Sequence, residues 1–241
     1  MRYDISIVLT ASVVSQRGGL RVAPALFWRG MSALRANVYI DGFNLYYGAL
    51  RDTPYRWLDL YTLFTTLLPA YDINRVRYFT AVVKPRPGNP HQAQRQLAYL
   101  RALEASTPRL TVHRGQFLES QIEARVVTPP PMRQRVYKSE EKGSDVNLAS
   151  FLLLDAFKTE YDVAAVVSND TDLITPIEMV KHEFGRRIFV FNPHDRASWP
   201  MRNAASAPTD YRRIRAGVLA ASQLPPTLTD AVGTITKPPG W

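Results

Sequence analysis

Apolar residues along this chain change their period several times, and the changes lay out its elements. Val38–Ile40 is a short apolar run ending at Asp41-Gly42, a strand followed by a turn. From Trp57 to Leu68 apolar side chains recur at helical spacing (Leu60, Leu63, Phe64, Leu67), and Pro69 stops the helix. Arg75–Val83 alternates, with Val76, Tyr78, Thr80 and Val82 on one face, and reads as a strand. Pro85, Pro87 and Pro90 then make a loop. His91–Ser106 predicts a helix with Leu97, Leu100 and Leu103 on one side, and Leu110–Phe117 predicts another strand. Between Glu119 and Glu141 the pattern breaks. Val126-Val127, Pro129-Pro130-Pro131 and Val136-Tyr137 follow one another with Arg125, Arg133, Arg135 and Lys138 interleaved, an irregular hairpin or a long basic loop. Ser144 caps a helix running to Lys158, whose buried stripe reads as Val146, Ala149, Leu153, Ala156 and Phe157. Val163–Val167 is β-branched and apolar, as a central parallel strand is. Ile174–Phe184 predicts a helix with Ile174, Ile177, Val180 and Phe184 inward, ended by Gly185, and Arg187–Phe191 is the last strand, with Phe189 and Phe191 in the core.

Strands alternating with helices predict an α/β fold, a mainly parallel sheet with helices on both faces. In such sheets the functional crevice lies beyond the C-terminal ends of the strands. Residues 1–30 match neither a signal peptide nor a transit peptide, and they read as an extension outside the fold. The folded domain is expected over residues 31–215. Residues 216–241, with Pro225, Pro226, Pro238 and Pro239, read as a Pro-rich tail lying on the surface or disordered.

Composition narrows the chemistry. The 241 residues contain no cysteine, which excludes a disulfide scaffold, thiolate metal sites and a cysteine nucleophile. It also fits a reducing, cytoplasmic location. No apolar run approaches the roughly 20 residues that span a bilayer, so no membrane partner is expected. Thirty Lys and Arg against 21 Asp and Glu give a net charge of +9, which favours a polyanion such as nucleic acid. Arg2, Arg17, Arg21 and Arg29 face only Asp4 in the first 30 residues, so the basic excess persists without them. A homodimer and a monomer are both left open.

The acids fall where the crevice rule puts chemistry. Asp41 follows the first strand, Asp170 and Asp172 follow the strand Val163–Val167, and Asp145 sits in the first turn of the helix before that strand. If those two strands are neighbours, the four carboxylates face one crevice. Close carboxylates repel unless a cation is present, and Mg²⁺ or Mn²⁺ prefers oxygen ligands. The scattered histidines and absent cysteines argue against zinc. Taken singly, Asp172 also reads as a helix cap, Asp145 as a dipole partner and Asp41 as a turn residue.

The segments Asn37-Val38-Tyr39-Ile40-Asp41-Gly42-Phe43-Asn44-Leu45, Lys142-Gly143-Ser144-Asp145 and Ser168-Asn169-Asp170-Thr171-Asp172-Leu173, in this order, resemble the I-D-x-x-N, K-G-x-D and S-x-D-x-D patterns of the NYN family of PIN-like metal-dependent nucleases. The resemblance covers residues 36–215. It implies a three-layer α/β/α sandwich and hydrolysis of RNA phosphodiesters, endonucleolytic in mode, with Mg²⁺ or Mn²⁺. Asp41, Asp145, Asp170 and Asp172 would be the catalytic and metal-binding acids, and Asn44 would order the site or touch substrate. Ser144 and Asn169 depart from the commonest family residues without removing a ligand. RNA would be held by Arg125, Arg133, Arg135 and Lys138 of the basic segment, with Lys84, Arg86 and Lys142. Lys142 reads equally as a solvated surface lysine. Tyr46 and Tyr47 read either as base-stacking residues or as core. The competing reading is a non-catalytic RNA-binding or regulatory module on the same fold. A nucleotide-binding or phosphotransfer protein is disfavoured, because no phosphate-binding Gly-rich motif follows a strand, and an aspartyl-nucleophile phosphatase would require a covalent intermediate.

Overall fold

A computed structural model describes residues 33–85, 88–126 and 133–241. The expected extension at residues 1–30, and Arg86, lie outside the described residues. The first strand, β1 (Arg35–Asp41), is buried along nearly its whole length. Its end turns at once into a short helix, α1 (Gly42–Leu45), continued by a wider π-type turn over Tyr46–Leu50. Gly42 is required there. A Cβ at this position would lie 2.7 Å from the Phe79 carbonyl oxygen and 2.7 Å from the Tyr78 ring.

Helix α2 (Leu60–Leu67) starts at Asp59, whose carboxylate accepts from the Thr62 N–H at 3.0 Å. There follow β2 (Asp72–Ala81), α3 (Gln92–Ser106), β3 (Leu110–Arg125), β4 (Arg133–Lys142), α4 (Ser144–Phe157), β5 (Val163–Val167), α5 (Ile174–His182) and β6 (Arg187–Asn192). The chain closes with α6 (Trp199–Ala204), β7 (Tyr211–Arg213), α7 (Ala216–Ala221), β8 (Thr227–Asp230) and β9 (Gly233–Thr236).

The large sheet has the order β4-β3-β2-β1-β5-β6-β7, and only the β3–β4 pair is antiparallel. Connections leave β1 toward β2 on one side and reach β5 on the other, so the β1/β5 boundary is the switch point where α/β sheets bind ligands. The pleat separates two cores. Val38, Ile40, Ala165 and Val167 point to the face covered by α2 and α3, with Leu63, Phe64 and Leu100. Tyr39, Ala164 and Val166 point to the face covered by α4 and α5, with Leu148, Leu152, Ile177 and Val180. This is the three-layer α/β/α arrangement expected from the sequence.

One buried ion pair ties the second layer to the sheet. The Arg77 guanidinium on β2 donates two hydrogen bonds to the Asp155 carboxylate on α4, at 2.8 and 2.9 Å, and the Tyr39 hydroxyl on β1 donates a third at 2.7 Å. Arg77 also stacks over Phe151 at 4.3 Å. The His113 ring beside it is held to a pKa of about 4, by burial first and then by the Arg77 charge.

Several expectations differ from the structure. Gly143, not Ser144, stands at the cap of α4, and Leu97 of α3 is exposed rather than inward with Leu100 and Leu103. The buried stripe of α4 is Leu148, Leu152, Asp155 and Ala156, whereas Val146 and Phe157 are 69% and 74% exposed. The helix is rotated because Asp155 must reach Arg77. The basic segment is a regular antiparallel hairpin, with Gln116–Arg125 paired residue for residue to Arg133–Lys142. Residues 216–241 are no loose tail. They form α7 and the β8–β9 hairpin, bury Leu219, Leu224 and Ile235 in the core, and set Trp241 edge-on to Trp57 at 6.3 Å. Among the described residues, no helix is long and apolar enough to cross a membrane.

Candidate active site

Strand β1 delivers Asp41 to the switch point, beside the end of β5. Ile40 is opposite Val167 in the parallel register, so Asp41 and Ser168 meet. The Asp41 carboxylate is only 5% exposed. It accepts from the Asn44 backbone N–H at 3.0 Å with one oxygen and from the Ser168 hydroxyl at 3.0 Å with the other. Ser168 Oγ in turn accepts from the Asp170 N–H at 3.0 Å, and Asp170 Oδ1 accepts from the Asp172 N–H at 2.9 Å. The turn after β5 is therefore built from the side chains of the S-x-D-x-D segment itself.

Asn44 locks the two strand ends together. Its Oδ1 accepts from the Asn169 N–H at 3.0 Å and lies 2.9 Å from His194 Nε2. An amide oxygen only accepts, so the His194 nitrogen carries the proton. Asp41 and Asp145 both feel acidic neighbours. Burial raises the Asp41 pKa, and the Asp170 charge adds to the rise. Asp145, on the first turn of α4, is raised to about 6, by burial first and then by repulsion from Asp41, Asp170, Glu141 and Asp172.

Three participants escape the sequence reading. Glu141 at the base of β4 adds negative charge beside Asp145 and accepts from the Ser144 N–H at 3.1 Å and hydroxyl at 2.8 Å. Ser168 is quoted within a motif but has no assigned role there. His194 follows the C-terminal end of β6, where the crevice rule itself points.

The basic residues divide. Directly paired residues share a face of a hairpin. Arg125, Arg133 and Arg135 therefore lie on the face that carries Glu141 and Phe117, the latter edge-on to Phe43 at 5.7 Å. Lys138 and Lys142 lie on the opposite face, both paired to Glu140, the Lys142 contact being 3.1 Å. Lys84 is paired to Glu119 at 3.0 Å. Behind Gly42 and Tyr78 a cavity of about 480 Å³ opens, walled in part by Tyr46, Tyr47, Tyr99 and Trp241.

The donor set fits a hard divalent cation in one specific manner. Among the described residues, no three His, Asp or Glu side chains stand close enough to hold an ion directly. Mg²⁺ keeps several waters and is commonly bound through one or two carboxylates, so an oxygen-only, mutually repelling cluster at a common edge suits a hydrated ion. Loss of the repulsion has a measurable sign. A raised carboxyl pKa leaves the fold penalised once both states ionise, so the penalty grows from pH 4 to pH 6. Asp145→Asn is expected to raise unfolding stability at pH 7 by about 1–2 kcal/mol, after discounting for solvent screening of a half-exposed group. The difference should vanish in denaturant melts well below the ordinary Asp value of 3.8.

Comparison with known proteins gives three results. The NYN domain model matches residues 35–212. The chain is 32% identical over 238 residues to 6-hydroxy-3-succinoylpyridine 3-monooxygenase HspA of Pseudomonas putida (strain DSM 28022 / S16), covering 86% of this chain and 75% of that protein. The crystal structure of a protein of unknown function from Vibrio parahaemolyticus RIMD 2210633 aligns with a TM-score of 0.44 at 16% identity, covering 76% of this chain and 92% of that one.

Proposed function

The chain belongs to the NYN domain family, and from that membership we propose that it is a Mg²⁺- or Mn²⁺-dependent ribonuclease cutting RNA internally at the β1/β5 edge. The observation carrying this reading is the gathering of acids at the switch point, where Asp41 ends β1 beside Ser168 and Asp145 is raised to about 6 by burial and by its acidic neighbours. Such a cluster is costly to keep unless a cation relieves it. Asp41, Asp170, Asp172 and Asp145 would hold the ion, which supplies Lewis acidity and an activated water at neutral pH.

The chain's own groups do the rest. The Asn44 N–H and Ser168 hydroxyl fix both oxygens of Asp41, so its carboxylate is oriented before anything binds. Arg125, Arg133 and Arg135, which share a hairpin face with Glu141 nearer its tip, would hold the anionic backbone, and Tyr47, which is 53% exposed, would offer a ring for a base. Asp145 must be ionised to serve, so activity should fall on the acid side as the pH drops toward the Asp145 pKa. The test is incubation of the pure protein with single-stranded RNA and with DNA, with Mn²⁺ or with EDTA. Fragments with internal ends that vanish in EDTA are expected. Bound but uncut RNA would favour the non-catalytic module.

A second reading has its own observation. The relative in Pseudomonas is named as a monooxygenase of a succinoylpyridine, and the aromatic-walled cavity next to the acids has the size of a small-ligand pocket. On this reading the cavity would seat such a substituted pyridine for oxygenation, with O₂ and a reductant such as a reduced nicotinamide both supplied from solution. Oxygen uptake with that substrate and reductant separates it from the first.

A further inference from the structure

The cavity behind Gly42 has a wall chemistry opposite to that of the acid edge it adjoins. Tyr46, Tyr47, Tyr99 and Trp241 supply flat aromatic faces. Arg51, Arg56 and Arg95 supply three guanidinium groups, and among the described residues no Asp or Glu lines it. Arg51 reaches the exposed Asp52 at 4.0 Å, whereas Arg56 and Arg95 pair with no carboxylate among the described residues. Arg95 donates to the Asn89 amide oxygen, Arg56 donates to the Gly240 carbonyl at 2.5 Å, and Arg51 lies 5.6 Å from the Tyr47 ring centroid. The Arg56 Nε is buried with no partner among the described residues.

Tyr78 supplies a separate indication of a ligand. The residue is 5% exposed and lines the cavity, and its hydroxyl donates to no other described residue. That oxygen lies against Gly42, the residue after Asp41. Burial and the nearby Asp41 charge hold the phenol well above its ordinary pKa, so it remains a donor. A phenol oxygen that opens onto the cavity can donate to an acceptor atom bound there.

We propose that this cavity is a binding site for one planar aromatic ring carrying an anionic group, with the ring between the tyrosines and Trp241, the anion on the arginines, and a ring acceptor atom on the Tyr78 hydroxyl. A cavity of about 480 Å³ is within the range of small-ligand pockets and holds one or two fused rings with a substituent. Arginine favours carboxylate and phosphate through paired N–H donors. The same chemistry comes from two sources, a nucleotide of an RNA chain or a free aromatic acid. The site does not depend on either catalytic reading, because occupancy is read without turnover.

The test is titration of the full chain, by calorimetry and tryptophan fluorescence, with adenosine monophosphate, nicotinate, adenosine and succinate. Saturable binding of one ring-plus-anion probe with a Kd below about 1 mM is expected, and neither adenosine nor succinate should match it. Preference for the monophosphate assigns the cavity to a nucleotide, and preference for nicotinate assigns it to a free acid. Arg95→Gln and Tyr78→Phe should each weaken the preferred probe about tenfold with unchanged thermal unfolding. Tyr78→Phe keeps the ring and its packing, so its loss reports the hydroxyl. Failure of both anionic probes to saturate, equal binding of the neutral ring, or parent-like affinity in both variants would overturn the assignment.

Discussion

Asp170→Asn is expected to abolish the proposed Mn²⁺-dependent RNA cleavage, lowering it by about a thousandfold or more, while RNA binding is retained. The substitution keeps the side chain's shape and the oxygen that accepts from the Asp172 N–H at 2.9 Å, so the turn after β5 survives. What disappears is one negative charge at the edge. The same variant has a readout free of turnover. Asp145 is raised to about 6 partly by Asp170, so its titration followed by carboxyl NMR should move down in Asp170→Asn. Asp41→Asn should lower cleavage as steeply but with a structural penalty. Asp41 accepts at both oxygens, from Asn44 and Ser168, and an amide can accept at only one. Cleavage that persists in Asp170→Asn would remove the acids from the mechanism.

Asp155→Ala is expected to lower the free energy of unfolding by about 3–5 kcal/mol, measured by urea denaturation. Asp155 is 1% exposed, and its removal leaves the Arg77 guanidinium buried without its anion and the Tyr39 hydroxyl without its acceptor. The double variant Arg77→Met with Asp155→Leu should recover much of the loss, because a buried ion pair replaced by apolar groups of similar volume is often neutral. A single variant that unfolds like the parent would show that α4 is held by its leucines alone. The pair matters for function because Asp145 stands on the same helix and Asp41 ends the strand that carries Tyr39.

The same residues explain how far the sequence could be read. Strand β5 was legible to its ends, because a continuous β-branched run has few other fates, and the rule that parallel sheets expose chemistry at one edge is what singles out the four acids as candidates. The stripe of α4 was not. Counting apolar positions excludes Asp155, and only its partner on β2, far away in sequence, brings a carboxylate inward and turns Val146 and Phe157 out. The hairpin β3–β4 is exposed on both faces for most of its length, so it lacks the alternation that marks a strand against a core. Residues 216–241 bury isolated side chains such as Leu224 and Ile235 rather than a periodic stripe, and nothing in spacing reveals that. Glu141 acts on Asp145 from only four residues away but outside the matched motif, and His194 reaches Asn44 across the fold, where the crevice rule applied to β6 points.

Both margins of the seven-stranded sheet are guarded in different ways. At one margin β7 offers only three residues, too short to template a further strand. At the other, β4 offers ten, but Arg133, Arg135, Lys138 and Lys142 recur along it. A copy of the same strand brought alongside would set like charges together, and this repulsion works against fibrillar stacking of one molecule on the next. The lysines and arginines along that margin thus keep a long open ladder soluble, whichever of them also contacts an anionic ligand.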